Sequence, residues 1–93
     1  MRVYNSYVAY TVYILRTSSN TLYTGQTNNL EKRLNEHKNK TSKSSKYLRG
    51  FKSFRLAYGE VQPTLSQALK REIELKKLSH AKKELLIKSK SSV

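Results

Sequence analysis

Between Val12 and His37 the chain reads VYILRTSSNTLYTGQTNNLEKRLNEH, and within it the spacing of apolar residues changes once. Before Gly25 the side chains alternate with a period of two; after Asn28, Leu30, Leu34 and His37 fall at i, i+4 and i+7. Two strands joined by the polar turn Thr17-Ser18-Ser19-Asn20, then a helix, use both periods. The first strand is expected over Tyr7 to Arg16. Val8, Tyr10, Val12 and Ile14 share one face, and Ala9, Thr11, Tyr13 and Leu15 the other. Apolar and β-branched residues on both faces mark a central strand. The second runs from Thr21 to Gly25. A three-residue loop, with Asn20 in the left-handed position, is expected to set Tyr13 directly opposite Tyr23. Asn28 is the expected helix N-cap, with Glu31 as its reciprocal partner and Arg33 beside the buried stripe.

Downstream, SFRLAYGEV alternates as a third strand, with Phe54, Leu56 and Tyr58 expected on one side. A short helical turn is expected near residues 47–50. Pro63 and Thr64 open a helix, Thr64 and Gln67 forming a capping box. Its inward stripe is read as Leu65, Ala68, Leu69 and Ile73, continued by Glu72 and Lys76. Ser79 caps a last helix from His80 to Lys88, with Ala81 and Leu85 inward. The order β-β-α-β-α-α predicts a small α/β domain, a three-stranded antiparallel sheet flanked by helices. All 93 residues form one domain, whose ends, 1–6 and 88–93, have nothing to bury and are expected to fray.

Only 37% of residues are hydrophobic, so the core must be thin and lean on Tyr and Leu. The net charge of +13, from 19 basic against 6 acidic residues, points to a polyanionic partner. Lys40, Lys43, Lys46, Arg49, Lys52 and Arg55 recur at every third position of an acid-free stretch, a phosphate-gripping run. Without Cys there are no disulfides, thiolate metal sites or Cys nucleophiles. No apolar run approaches the roughly 20 residues that span a bilayer, and the basic run lacks the apolar face of a membrane-surface helix. A cytoplasmic protein is expected.

The pair VYI (Val12–Ile14) and YTG (Tyr23–Gly25), then Arg33 and His37, resembles the GIY-YIG nuclease superfamily. The later run ALKREIELKKLSHAKKELLI, from Ala68 to Ile87, is similar to the end of its short stand-alone members. Thr11 stands at the Gly of GIY and Thr24 at the Ile of YIG. Gln26 replaces the Lys some members carry there, so a Lys-assisted base is not expected. The resemblance implies a compact α/β fold, cleavage of nucleic-acid phosphodiesters, and one divalent ion, Mg²⁺ or Mn²⁺, held by a single Glu.

Phosphodiester hydrolysis needs an oriented water, a proton acceptor and cations for the charge that builds on phosphate. Glu72, on an inward stripe, is the candidate metal ligand; the bland alternative is a salt bridge to Lys76 one turn on. Arg33 would hold the scissile phosphate bidentately. Tyr13 would position or deprotonate the water, although ionising a phenol of pKa near 10 costs about 4 kcal/mol at neutral pH. Arg33, the ion and the positive field would have to lower that value. Tyr23 is a second phenol in the same pocket. His37 is either base or phosphate hydrogen-bond donor.

Two functions follow. One is a metal-dependent endonuclease of low sequence specificity, acting on DNA rather than RNA in repair or recombination, with a separate protein for targeting. The other is a basic nucleic-acid-binding module without catalysis. Both carry one expectation. With the six run residues each neutralising one phosphate, log K for DNA falls against log salt with a slope of about −5, as fluorescence anisotropy across a salt series will read.

Overall fold

The computed structural model describes residues 9–40 and 44–91. Three strands, β1 (Tyr10–Thr17), β2 (Leu22–Thr27) and β3 (Phe54–Gln62), form an antiparallel sheet ordered β2-β1-β3. Four helices surround it: α1 (Leu30–Lys38), the single turn α2 (Lys46–Arg49), α3 (Leu65–Lys76) and α4 (His80–Ser91). This is the expected α/β class and element order, with the extra turn in place.

Central β1 is buried on both faces: Val12, Tyr13, Ile14 and Leu15 are at most 1% exposed. Its even-numbered face carries Val12 and Ile14 into a core with Tyr58, Ala68, Leu75 and Ile87, under α3 and α4. Its odd-numbered face joins Tyr13 and Leu15 to Leu48, with Tyr23, Leu30, Leu34 and Phe54 packed around them under α1 and α2. Tyr7 and Val8, read as the start of this strand, lie outside the described residues.

The hairpin loop is Ser18-Ser19-Asn20, with Asn20 at φ 65° as expected. Closing it between Thr17 and Thr21 pairs Leu15 with Tyr23 and Tyr13 with Gly25. Tyr13 and Tyr23 are therefore diagonal rather than directly opposed, yet on one face, because a shift of two residues keeps side-chain parity. The α1 cap is Asn29, not Asn28: its side chain accepts from the Lys32 N–H at 3.1 Å. Glu31 then falls one place too early to return a bond.

A bulge corrects the third strand. Tyr58 pairs with Ile14 but Leu56 with Leu15, leaving Ala57 as the extra residue. The stripe Phe54-Leu56-Tyr58 is thereby divided: Phe54 serves the α1 layer and Tyr58 the α3 layer.

Helix faces are set by ion pairs as much as by apolar spacing. Arg71 reaches Glu60 of β3 at 2.8 Å, and Glu60 accepts from the Tyr58 hydroxyl at 2.6 Å. That fixes the roll of α3 so that Ala68, Arg71, Glu72 and Leu75 turn toward the sheet. Leu65, Leu69 and Ile73, read as inward, are 43%, 42% and 55% exposed. In α4, Ala81 and Leu85 likewise face solvent, while Ile87 is buried and Leu86 packs beside it. The cause is Arg16, which grips Glu84 with both terminal nitrogens (2.7 and 2.6 Å), Glu84 also meeting His80 at 3.0 Å. Residues 88–91, expected to be unstructured, continue the helix, and Lys90 donates to the Gly59 carbonyl at 2.7 Å.

Hydrogen bonds from Arg16 hold the Glu84 carboxyl down at about 2. Its folded value lies below the ordinary 4.5, so the stabilisation is complete above that pH and lost as pH falls toward 2. Glu84→Gln is expected to melt below wild type at pH 7 and together with it near pH 2, as circular dichroism will show.

Candidate active site

Four of the five expected catalytic side chains converge on the α1 side of the β1–β2 pair. The strand register brings Tyr13 and Tyr23 there, and one turn of α1 separates Arg33 from His37. The His37 ring is 2% exposed, 6.4 Å from the Tyr13 ring centre and 5.9 Å, edge-on, from that of Tyr23. Tyr13 folds flat over Gly25: a Cβ there would lie 2.6 Å from the phenolic oxygen. Only glycine admits the phenol at this point of the sheet.

The hydrogen bonds define the imidazole. The Ser45 backbone N–H donates to His37 Nδ1 at 3.3 Å, so Nδ1 carries the lone pair and Nε2 the proton. Nε2–H then donates to the Tyr13 oxygen at 3.2 Å. Burial pushes the His37 pKa down, with the nearby Arg33 charge acting in the same sense. A donor already aimed at Nδ1 is a further obstacle to imidazolium. Neither ring nitrogen is free to take another proton.

The Arg33 guanidinium also favours the Tyr13 phenolate, alongside the His37 contact on the phenolic oxygen. Its pKa is nonetheless pushed up to about 12. Burial is the main cause and Tyr23 the next, and they outweigh the help from Arg33. The overall positive charge of the chain does not lower it. Arg33 is itself anchored to Glu36 at 3.0 Å.

Glu72 approaches from the other layer. Its side chain is 17% exposed, and its charge is felt at Tyr13 as a small upward push on the phenol. It forms the anticipated helix pair with Lys76, at 3.0 Å. Thr24 and Gln26 of β2 share the α3-facing side of the sheet, and Thr24 Oγ1 and Gln26 Oε1 are buried without a hydrogen-bond partner among the described residues. Among the described residues no three His, Cys, Asp or Glu side chains group into a metal cage. One carboxylate and unpartnered neutral oxygens fit a hard ion that keeps several waters and takes phosphate oxygens, as Mg²⁺ does.

Of the basic run, Lys40, Lys46, Arg49, Lys52 and Arg55 are exposed, and Lys43 lies outside the described residues. Arg49 is partly committed to structure, donating to Ser44 Oγ at 2.9 Å. Three contributors escaped the sequence reading. Gly25 appeared only as a motif letter, and the Ser45 amide carries no side-chain signal. Tyr47, which stacks on Tyr23 at 5.9 Å and 17°, was signalled only as an aromatic inside a basic stretch.

Residues 9–85 match the GIY-YIG catalytic domain. A UPF0213 protein of Syntrophus aciditrophicus is 48% identical over 77 residues, 83% of this chain and 87% of that one. One from Clostridium perfringens is 45% identical over 80 residues, covering 86% and 84%. The solution NMR structure of the UPF0213 protein from Bacillus halodurans superposes with a TM-score of 0.57 at 36% identity, over 88% of this chain and 85% of that one. No helix of the described residues is long and apolar enough to cross a membrane.

The imidazole assignment has a direct readout. Nitrogen-15 NMR of His37 is expected to show protonated Nε2 and bare Nδ1, unchanged as pH falls through the ordinary histidine value of 6.5. A half-titration at or above that pH would remove the basis for the assignment.

Proposed function

The chain belongs to the GIY-YIG nuclease family, and from that premise we propose that it is a metal-dependent endonuclease of low sequence specificity. The observation that carries the reading is the meeting of Tyr13, Tyr23, Arg33 and His37 on one face, within the field of Glu72. A sheet built only for stability has no use for two phenols, a guanidinium and an imidazole packed together with a carboxylate in range.

Arg33 binds the scissile phosphate, its geometry fixed in advance by Glu36. Tyr13 orients the attacking water and, once its own proton has passed to solvent, accepts the proton of that water as phenolate. The His37 bonding supports Tyr13 over His37 in that role, since both imidazole nitrogens are engaged. The His37 donor and the nearby Arg33 charge both favour negative charge on the Tyr13 oxygen, which is the preorganisation such a base requires. Burial holds the free phenol at about 12, and it also strengthens the effect of any cation brought beside it. Tyr23 contributes its hydroxyl at the rim and keeps the imidazole edge in place. Mg²⁺ or Mn²⁺ held by Glu72, with Thr24 and Gln26 behind, would supply positive charge at the phosphate oxygens.

DNA is the polymer we assign, in repair or recombination in the cytoplasm, with a separate protein supplying targeting. The exposed basic residues of α2 and its flanks contact phosphates, and phosphate contacts position without reading sequence.

Labelled DNA incubated with the protein and Mg²⁺ or Mn²⁺ tests the assignment. Glu72→Ala is expected to lower cleavage by about a hundredfold or more, while DNA affinity in EDTA is kept or rises, one negative charge having been removed. Cleavage undiminished in that variant sinks the role of Glu72. Wild-type binding without products under either metal leaves the non-catalytic binding module in its place.

A further inference from the structure

Beside the catalytic cluster lies a hollow of about 360 Å³ lined by Leu22, Tyr23, Thr24, Tyr47, Lys76 and Lys83. It has three properties together. It is continuous with the active site, because Tyr23 lines both and meets His37 edge-on at 5.9 Å. It has an aromatic wall: Tyr47 lies nearly parallel to Tyr23 and is offset from it, with 47% of its surface still in solvent. It has cations at its edge: Lys76, which also pairs with Glu72, and Lys83, which has no ion-pair partner among the described residues.

The aromatic wall is held in advance. The Tyr47 hydroxyl donates to Thr21 Oγ1 at 2.8 Å, and Phe51 packs at 5.1 Å. Thr21 Oγ1 in turn lies 2.7 Å from Thr17 Oγ1, at the closed end of the hairpin. A large aromatic fixed at a rim, rather than turned into the core, offers stacking surface at small conformational cost. An apolar peptide would bury this wall only by desolvating two lysines. A nucleotide satisfies both parts, since its base stacks and its phosphate meets the ammonium groups.

We infer that this hollow is a nucleotide subsite, taking one unpaired base against Tyr47 and Tyr23 while Lys83 holds a phosphate of the same strand. The inference rests on the nuclease reading for its polymer and on the hollow's own chemistry for the base. A base inside a duplex has both faces covered by its neighbours. The subsite is therefore filled by single strands, overhangs or flaps, and not by intact duplex. That defines the substrate class: nucleic acid with an unpaired nucleotide beside the bond to be cut.

The test needs no metal and no turnover. In EDTA, a dT hexamer holding one central 2-aminopurine is titrated with the full chain, and so is a blunt hairpin duplex closed by a non-nucleotide linker with the same 2-aminopurine paired. Stacking quenches the emission of this base. Quenching of the hexamer and not of the hairpin is the expected result. Tyr47→Leu is expected to abolish the quench and weaken hexamer binding about tenfold, with hairpin affinity changed by less than twofold. Tyr47→Phe, which keeps the ring, is expected to retain the quench, and circular dichroism checks that each variant folds. Lys83→Ala is expected to flatten the hexamer's salt slope by about 0.7. No wild-type quench, or the same quench in folded Tyr47→Leu, overturns the subsite. Cleavage without quenching leaves the nuclease reading standing alone; quenching without cleavage under any metal leaves the subsite and removes the nuclease.

Discussion

Everything at the site depends on the absence of one methyl group. Tyr13 grows from the central strand, where a side chain would ordinarily end in the core, and it escapes by crossing the neighbouring strand at Gly25. A Cβ there would stand 2.6 Å from the phenolic oxygen and 2.7 Å from the ring carbon that bears it. Because β2 is an edge strand, the far end of the phenol comes out at the margin of the sheet, where helices from either face can address it. Arg33 and His37 do so from the α1 layer, and the Glu72 charge is felt from the α3 layer. A bulkier residue at position 25 would push the phenol back or split the strands. The tyrosine and the glycine are one device.

At Tyr13 the electrostatics of the pocket run against those of the chain, while at His37 the two agree. A molecule of +13 would be expected to favour phenolate and disfavour imidazolium everywhere. Inside, burial dominates both groups and holds each neutral: Tyr13 is pushed up to about 12 and His37 is pushed down. The surface lysines are screened by water, whereas the desolvation of a buried phenol is local. Only charges within the cluster compete with it. Arg33 does so in part, and its own position is set by Glu36.

Local pattern was largely legible where one residue's neighbours in sequence are also its neighbours in space, the α1 cap and the hairpin register each being off by one or two places. The period of β1, the left-handed Asn20, the stripe of α1 and the Thr64 cap are of this kind. The motif resemblance also named the four residues of the α1-side cluster. Larger misreadings begin where a partner is remote. Ala57 bulges out of β3 and turns Tyr58 to the other face, which alternation alone cannot register. Arg16 meets Glu84 across 68 positions, and that pair, not the spacing of Ala81 and Leu85, orients α4. The Ser45 amide that fixes the His37 tautomer belongs to a backbone, and no residue type announces it.

The roll of α3 leaves exposed the aliphatic stripe that spacing alone would bury. A twelve-residue helix has one inward stripe, and Leu65, Leu69 and Ile73 were the natural claimants, each worth about 1.5–3 kcal/mol if fully buried. The helix leaves all three substantially exposed. It turns Arg71 and Glu72 inward, with Ala68 and Leu75 between them as the apolar contact. Arg71 is explained by Glu60 and the Tyr58 hydroxyl, an anchor that holds the roll. Glu72 has no such explanation within the sheet. Its partner Lys76 is 56% exposed, and an exposed helix pair of this kind contributes a few tenths of a kcal/mol, far less than the aliphatic burial forgone. The roll that the Glu60 pair holds carries Glu72 inward beside Arg71, and a carboxylate tied only by a weak helix pair, within the field of Tyr13, supports the reading of Glu72 as a cation ligand.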